Sequence, residues 1–409
     1  MSHQRFPLCA LGLAASCLAG TSSFAQDAEG GLRLDFGIEQ GFEYGRNIGF
    51  AVPAEGSTAR SATELSFGLF SSTPLDRLEL TASGALIVEN TPDTDGTEAE
   101  FGRPRLAFSY TREVPDALFG IALSYTEDSV DRLSEDLSDT DSSGTQIDYG
   151  MGLRFEVRRT APASLFFAAD YDVTEYDDTV DPDLIDTRTT TAMAGTHLRF
   201  SEVLAGSFSL RFTREDEDGS LATDDALTAS FDLERDLPNG SATLEFSQVN
   251  RESGDDQTTL VIGRTLDFPS GGLSVHLGAT RSTSDGADLV GGLAWTHALP
   301  DGEVSASLGR SVGYDISADE TIITTEMSLG WLRQVSSVST IGLDLSWSQR
   351  DAPSELIEVA EITATYSAAL TLDWQLDSGI SYRVRNDADG RAESPELFVS
   401  LGRVFSVRP

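Results

Sequence analysis

Apolar and polar residues alternate with a period of two along most of this chain, and no other feature constrains its fold as strongly. In the first run, Leu32, Leu34, Phe36 and Ile38 are separated by polar or small residues. About twenty such runs follow one another up to residues 397–405, and their period is that of a β-strand rather than a helix. With its flanks, each run is about ten residues long, which is the length that a tilted strand needs to cross a bilayer.

The number of predicted strands and the nature of their polar faces indicate how they are arranged. An open twisted sheet rarely holds more than about ten strands, so about twenty must close into a barrel or split into stacked sheets. The polar faces carry small residues that suit a water-filled interior, such as Ser66 with Gly68 and Thr363 with Thr365. No segment after the N-terminus has the roughly 18 consecutive apolar residues of a membrane-spanning helix. We therefore predict an all-β fold, a closed antiparallel transmembrane β-barrel of about 20 strands (range about 18–22).

The predicted connectors alternate between short and long ones. The short ones carry turn formers, as in residues 238–240 and 300–302, because proline presets φ and glycine accepts positive φ. The long ones concentrate acidic residues, and we expect loops at residues 93–100, 127–146, 177–186, 215–225 and 386–393. In bacterial barrels the short turns face the periplasm and the longer loops face outward. We accordingly expect short periplasmic turns, long acidic extracellular loops, and both termini at the short-turn rim.

The first 25 residues have the features of a cleavable export signal. A basic start that includes Arg5 precedes an apolar stretch, and small residues lead up to Ala25. We assign residues 1–25 to a signal peptide and residues 26–409 to a single outer-membrane barrel domain. Cys9 and Cys17 both fall within the signal, so the mature chain is expected to have no disulfide. In an alternative interpretation, Cys17 is the lipidated first residue of a lipoprotein.

The charge of the chain excludes one large class of partners. Asp and Glu number 67 against 28 Lys and Arg, which gives a formal net charge of -39. Affinity for nucleic acids comes largely from basic side chains that neutralise phosphates. We therefore expect no nucleic-acid partner.

The last predicted strand carries the most specific resemblance to known proteins. Residues 397–405 read Leu-Phe-Val-Ser-Leu-Gly-Arg-Val-Phe and are similar to the terminal strand, ending in phenylalanine, that the barrel-assembly machinery recognises. The sequence departs from that pattern because residues 406–409 follow the phenylalanine and Arg403 occupies an outward position. The whole mature region resembles Gram-negative outer-membrane β-barrel proteins of the porin type. The resemblance implies a location in the cell outer membrane, with membrane lipid, the assembly machinery and small solutes as partners; we expect no cofactor.

Charged residues on the predicted inward faces are candidates for lining a pore. Basic residues on one part of the wall could oppose acidic residues on another, as in the charged rings that tune conduction. Alternatively, the two sets neutralise each other across a wide, wet lumen. The candidates are Arg154, Arg199, Arg211, Arg383, Arg385, Asp170, Asp172, Asp232 and Asp344.

Three of the acidic loops share a short Asp-x-Asp-Gly form that resembles the beginning of calcium-binding loops. None continues into a full twelve-residue ligand pattern with a closing glutamate, so we assign no metal site and interpret them as solvated acidic loops. The weak candidates are Asp93, Asp95, Asp216, Asp218, Asp387 and Asp389.

The sequence contains little that points to catalysis. His197 and His276 lie on predicted inward faces, but no nucleophile elbow, zinc-protease motif or phosphate loop accompanies them. We therefore expect no enzyme, although a barrel-embedded hydrolase that uses one of these histidines as a base is a third hypothesis. The first is an outer-membrane porin-like channel for passive or weakly selective diffusion of small solutes. The second is a non-conducting surface scaffold, adhesin or exopolymer-export barrel that acts through its acidic loops.

Overall fold

The fold is described from a computed structural model that covers residues 30–54, 56–92, 96–130, 144–179, 184–217, 223–252, 254–283, 286–315, 320–388 and 390–409. The predicted signal peptide lies outside these residues. Every run of alternating residues corresponds to one strand, and the strands are longer than the predicted ten or so residues. They are β1 Gly31–Arg46, β2 Ser57–Ser72, β3 Asp76–Asn90, β4 Glu98–Val114, β5 Ala117–Ser129, β6 Thr145–Val157, β7 Ala163–Asp177, β8 Thr187–Arg199, β9 Leu204–Glu217, β10 Thr223–Leu237, β11 Gly240–Arg251, β12 Gln257–Phe268, β13 Gly271–Ser282, β14 Gly286–Leu299, β15 Gly302–Asp315, β16 Glu320–Ser336, β17 Ser339–Asp351, β18 Leu356–Ala369, β19 Trp374–Asn386 and β20 Arg391–Val407.

The twenty strands form one closed antiparallel barrel, which confirms the predicted fold class and strand number. Each strand pairs with its neighbours in the sequence, and β1 closes the barrel by pairing with both β2 and β20. Phe36 thus lies opposite Phe67 on one side and opposite Phe405 on the other. The last strand continues past Phe405, because Ser406 and Val407 still pair with β1.

The alternation of the sequence becomes the two faces of the wall, since successive side chains of a strand point to opposite sides. Large apolar side chains lie exposed on the outer face, including Leu65 on β2, Leu289 on β14 and Leu343 on β17. The inner face carries hydroxyls, glycines and charged groups. This is the pattern expected when lipid surrounds a barrel and water fills it. Among the described residues, no helix is long and apolar enough to span a membrane.

The two rims of the barrel differ as predicted along part of the chain only. The start of β1, the end of β20 and the two-residue turns, such as residues 238–239 and 300–301, lie at one rim. At the opposite rim the connectors of the first half are long, and residues 130–144 join β5 to β6. In the second half they are short, and residues 283–285 suffice between β13 and β14. The prediction of a long loop over residues 386–393 was wrong, because cross-strand pairing of Asn386 with Arg391 leaves only a hairpin tip between them.

Polar and cation–π contacts fasten adjacent turns at the short-turn rim. The Thr160 hydroxyl donates a hydrogen bond of 2.7 Å to Asp116, which joins the turn between β6 and β7 to the turn between β4 and β5. This bond and a second one from the Thr160 backbone N–H hold the pKa of the exposed Asp116 carboxyl below its usual value. On the outer face, the guanidinium of Arg403 lies over the rings of Trp374 and Phe405 and forms an ion pair with Asp373 at 3.1 Å. Its outward position therefore agrees with the sequence prediction.

Candidate functional site in the barrel interior

The candidate site is the interior of the barrel, because the inward positions bring polar groups from many strands to one space. A cavity of about 890 Å³ lies against the part of the wall formed by β1, β2 and β15–β20. Its lining is rich in small polar residues, including Ser305, Ser328, Thr363 and Ser400. Such side chains present hydroxyls to a solute while leaving room for it to pass.

Acidic groups outnumber arginines around this cavity. Asp344 borders it, together with acidic residues that the sequence analysis did not single out. Two of them, Glu39 of β1 and Glu64 of β2, are direct cross-strand partners on the inner face. Like charges placed opposite each other are unfavourable in a sheet unless water or counterions screen them. The inward acidic residues of the lining are Glu39, Glu43, Glu64, Asp344, Glu361, Asp377 and Glu396, and the inward arginines are Arg103 and Arg383.

The opposite part of the wall, β6–β10, carries most of the other predicted pore-lining residues. The register places all six of them on the inner face: Arg154, Arg199, Arg211, Asp170, Asp172 and Asp232. Arg154 and Arg211 are exposed, and Arg199 lies at the short-turn end of β8. The Asp232 carboxylate accepts a hydrogen bond of 2.8 Å from Ser207. Whether these groups tune conduction stays a prediction.

Arg383 and Arg385 also point inward, but they are buried rather than solvent-exposed, with exposures of 6% and 4%. The connector between β1 and β2, residues 47–56, folds against them. Phe50 lies under the Arg383 guanidinium at 5.3 Å from the ring centroid, and Arg383 forms an ion pair with Glu396 at 3.3 Å. Both arginines are thus inward but covered, and whether they line a pore stays a prediction.

The connector is held in this inward position by Asn47, which is 2% exposed. Its side-chain amide donates to the carbonyl oxygens of Ala51 at 3.2 Å and Glu393 at 3.4 Å. The second of these bonds ties the connector to β20. Residues 47–56 therefore narrow the long-connector end of the lumen, which we call the mouth.

A second element narrows the mouth from another side. β15 pairs with β14 only from Arg310 downward, and beyond that point the β15–β16 hairpin leaves the ladder. Its Gly313 carbonyl accepts a hydrogen bond of 3.5 Å from the Gln257 side chain, although β13 and β14 separate β15 from β12 in the sheet. Gln257, Thr280 and Ser282 are inward residues that are 7%, 4% and 4% exposed. Gly313 and Tyr314 at the end of β15 therefore lie inside the barrel, against the inner face of β11 and β12.

An aromatic contact fixes this end of β15. The ring of Tyr314 packs against the Arg251 guanidinium, with 5.0 Å between them, and Arg251 is paired with the buried Asp224 at 3.1 Å. Gly254 lies so close to the Tyr314 ring that a Cβ atom there would clash with it. Neither inward element was predicted from the sequence. The only local signal was a glycine in the connector between β11 and β12.

The two inward histidines pack against neighbouring wall residues, and only two of the weak loop candidates lie among the described residues. His197 faces inward and stacks on Phe166 with 4.6 Å between ring centroids, and His276 packs beside Gly292. Within the described ranges, no group of three or more acidic, histidine or cysteine side chains could hold a metal ion. Of the weak loop candidates, Asp93, Asp95, Asp218 and Asp389 lie outside the described residues, whereas Asp216 is in β9 and Asp387 pairs with Arg385 at 2.7 Å.

Comparisons with known proteins identify the fold but not a family. No protein-family model matches the sequence, and no curated protein sequence matches it either. Among solved structures, a variant of the ferric enterobactin receptor of Pseudomonas aeruginosa in complex with enterobactin is similar, with a TM-score of 0.54 and 10% identity over 92% of this chain and 82% of the receptor. The siderophore receptor PirA of the same species has a TM-score of 0.50 at 10% identity, covering 92% and 81%. The copper transporter OprC has a TM-score of 0.50 at 12% identity, covering 92% and 80%. The chain therefore has the fold of outer-membrane β-barrels.

Proposed function

We propose that this protein is a porin-like channel of a Gram-negative outer membrane, through which small water-soluble solutes diffuse passively and with weak selectivity. The observation that carries the proposal is the cavity of about 890 Å³ bordered by small polar side chains inside a closed barrel. All twenty strands of the described part of the chain belong to this one barrel. The similar barrels include proteins named as receptors and as a transporter, which is compatible with solute passage.

The charge of the lining supports a weak preference for cations. Asp344, Glu361 and Asp377 lie on consecutive strands of the lined sector and face the same space. Charged rings in a pore favour ions of the opposite sign. Arg154 and Arg211 on the opposite wall act against this preference, and the two inward elements at the mouth limit the size of solute that can pass.

The test is single-channel conductance and reversal potential in planar bilayers under a potassium chloride gradient. We expect the wild type to conduct with a cation preference, and the triple variant Asp344→Asn, Glu361→Gln, Asp377→Asn to lose much of it. The matched variant Arg154→Ser, Arg211→Ser should shift selectivity the opposite way. Both shifts should shrink at 1 M salt, where the screening length is about 3 Å. A folded protein that does not conduct would contradict the proposal and favour the surface-scaffold alternative.

A further inference from the structure

The charge of the outer face of β11–β16 is unusual for so acidic a chain. The register places positions such as Leu244, Leu260 and Leu277 outward, together with every second residue on either side of them. No Asp or Glu occupies an outward position on any of these six strands. Two arginines do occupy such positions toward the mouth, Arg281 on β13 and Arg310 on β15, and both are exposed.

These two arginines flank a gap in the barrel wall. Because the β15–β16 hairpin bends inward above Arg310, residues 286–290 of β14 keep their ladder partners on β13 but have none on β15. The Arg310 guanidinium covers part of this open edge by donating to the Leu289 carbonyl at 3.3 Å, and it also reaches the Thr325 hydroxyl at 3.3 Å. Leu289 itself is 75% exposed. The gap therefore combines an apolar surface with a cationic border.

The register brings the two side chains within reach of one ligand. Arg281 is the cross-strand partner of Ala287, two residues along β14 from the carbonyl that Arg310 contacts. Two residues of a strand span about 7 Å, so the flexible guanidinium of Arg281 can approach that of Arg310. No ion pair involves Arg281 among the described residues, whereas Arg214, at an outward position on the same rim, is paired with Asp225 at 2.6 Å.

The position of the pair along the wall matches a membrane interface. From Leu299 at the short-turn rim, β14 runs eight residues before it reaches Gly291, the partner of Arg310. Eight residues of a strand tilted by about 40° rise roughly 20 Å, close to the roughly 25 Å apolar band of such barrels. Arg310 thus lies at the outer border of the hydrocarbon layer, where lipid phosphates are found.

We infer that Arg281 and Arg310 form a binding site for a phosphate-bearing lipid of the outer leaflet, with its acyl chains against the exposed outward residues Ile262, Leu277 and Leu293. Arginine suits this ligand because its guanidinium donates paired hydrogen bonds to phosphate oxygens. The absence of outward carboxylates on β11–β16 removes the repulsion that an anion meets elsewhere on this protein. The inference rests on the placement of the barrel in the outer membrane and not on conduction.

The test is titration of the purified barrel in nonionic detergent with lipid A, counting bound lipids by native mass spectrometry. We expect the variant Arg281→Gln, Arg310→Gln to bind lipid A at least about tenfold more weakly than the wild type, since each arginine offers a charge-assisted hydrogen bond. Arg214→Gln is the matched control and should bind as the wild type does, because Asp225 already neutralises that charge. Dephosphorylated lipid A should bind wild type and double variant equally weakly.

Equal affinity of the double variant and the wild type for lipid A would overturn the inference. An equal loss of lipid A affinity in Arg214→Gln would also overturn it, because lipid A would then bind any exposed arginine. Circular dichroism and the heat-dependent gel migration of each variant establish that it is folded. Because lipid counting does not depend on solute passage, a non-conducting protein that binds lipid A through these arginines would refute the channel and leave the lipid site intact.

Discussion

At the scale of single residues, the face on which a side chain lies decides what a charge there costs. Leu343 is outward and 42% exposed near the middle of β17, whereas Ser346 on the same strand lines the cavity. We expect Leu343→Arg to destabilise the barrel in lipid vesicles by about 2–4 kcal/mol, because the guanidinium must enter the hydrocarbon layer. Ser346→Arg should be far milder, since water solvates the new charge. Urea unfolding from vesicles measures both, and equal effects would contradict the assignment of faces.

Residue-level prediction from the sequence succeeded where the face of a strand was the only question. The alternation predicted that Arg154, Asp232 and Asp344 point inward, because a period of two fixes the side of every residue once one is known. It did not predict that Arg383 and Arg385 are buried. Periodicity reports the face of a residue, but it cannot report that a connector from the other end of the chain covers that face.

At the scale of elements, the β15–β16 hairpin is the part of the mouth that a single substitution can displace. Gly254 has φ of 102° and lies against the Tyr314 ring, so Gly254→Ala introduces both backbone strain and a clash. We expect the end of β15 to detach from β12 and the single-channel conductance to rise. Tyr314→Ser, which removes the ring, should act in the same direction.

Gly309→Ala is the control for this prediction, because Gly309 also lies on β15 and an added Cβ there meets nothing within 4 Å. Its conductance should equal that of the wild type. If Gly254→Ala and Tyr314→Ser both conduct as the wild type does, the hairpin is not part of the constriction.

The elements themselves were predicted well, and their exceptions have a physical reason. All twenty runs of alternation became strands, because each has one face for lipid and one for water along its whole length. The inward bend of β15–β16 was not predicted, since it depends on contacts such as Gln257 with Gly313 that join residues far apart in the sequence. Nothing local distinguishes residues 311–315 from the paired part of β15.

At the scale of the whole molecule, closure depends on the register between the first and last strands. This ladder runs from the pair of Leu34 with Val407 to the pair of Gly45 with Glu396. We expect a protein truncated after Phe405 to assemble and close, because only the pairs made by Ser406 and Val407 are lost. Truncation after Leu397 should prevent closure, since most of the ladder is then missing. Heat-dependent migration on gels distinguishes closed from open barrels, and a truncation after Phe405 that fails to close would show that the final residues are essential.

The second element that narrows the mouth is separate from the part of β15 that belongs to the barrel wall. The β15–β16 hairpin departs from the wall above Arg310, and below that point the ladder between β14 and β15 continues unbroken to Leu299. Residues 311–315 can therefore move without altering the cross-section that the barrel presents to the bilayer. Changes in membrane tension or thickness would then not alter the width of the mouth. A molecule that binds the hairpin from the aqueous side could alter it.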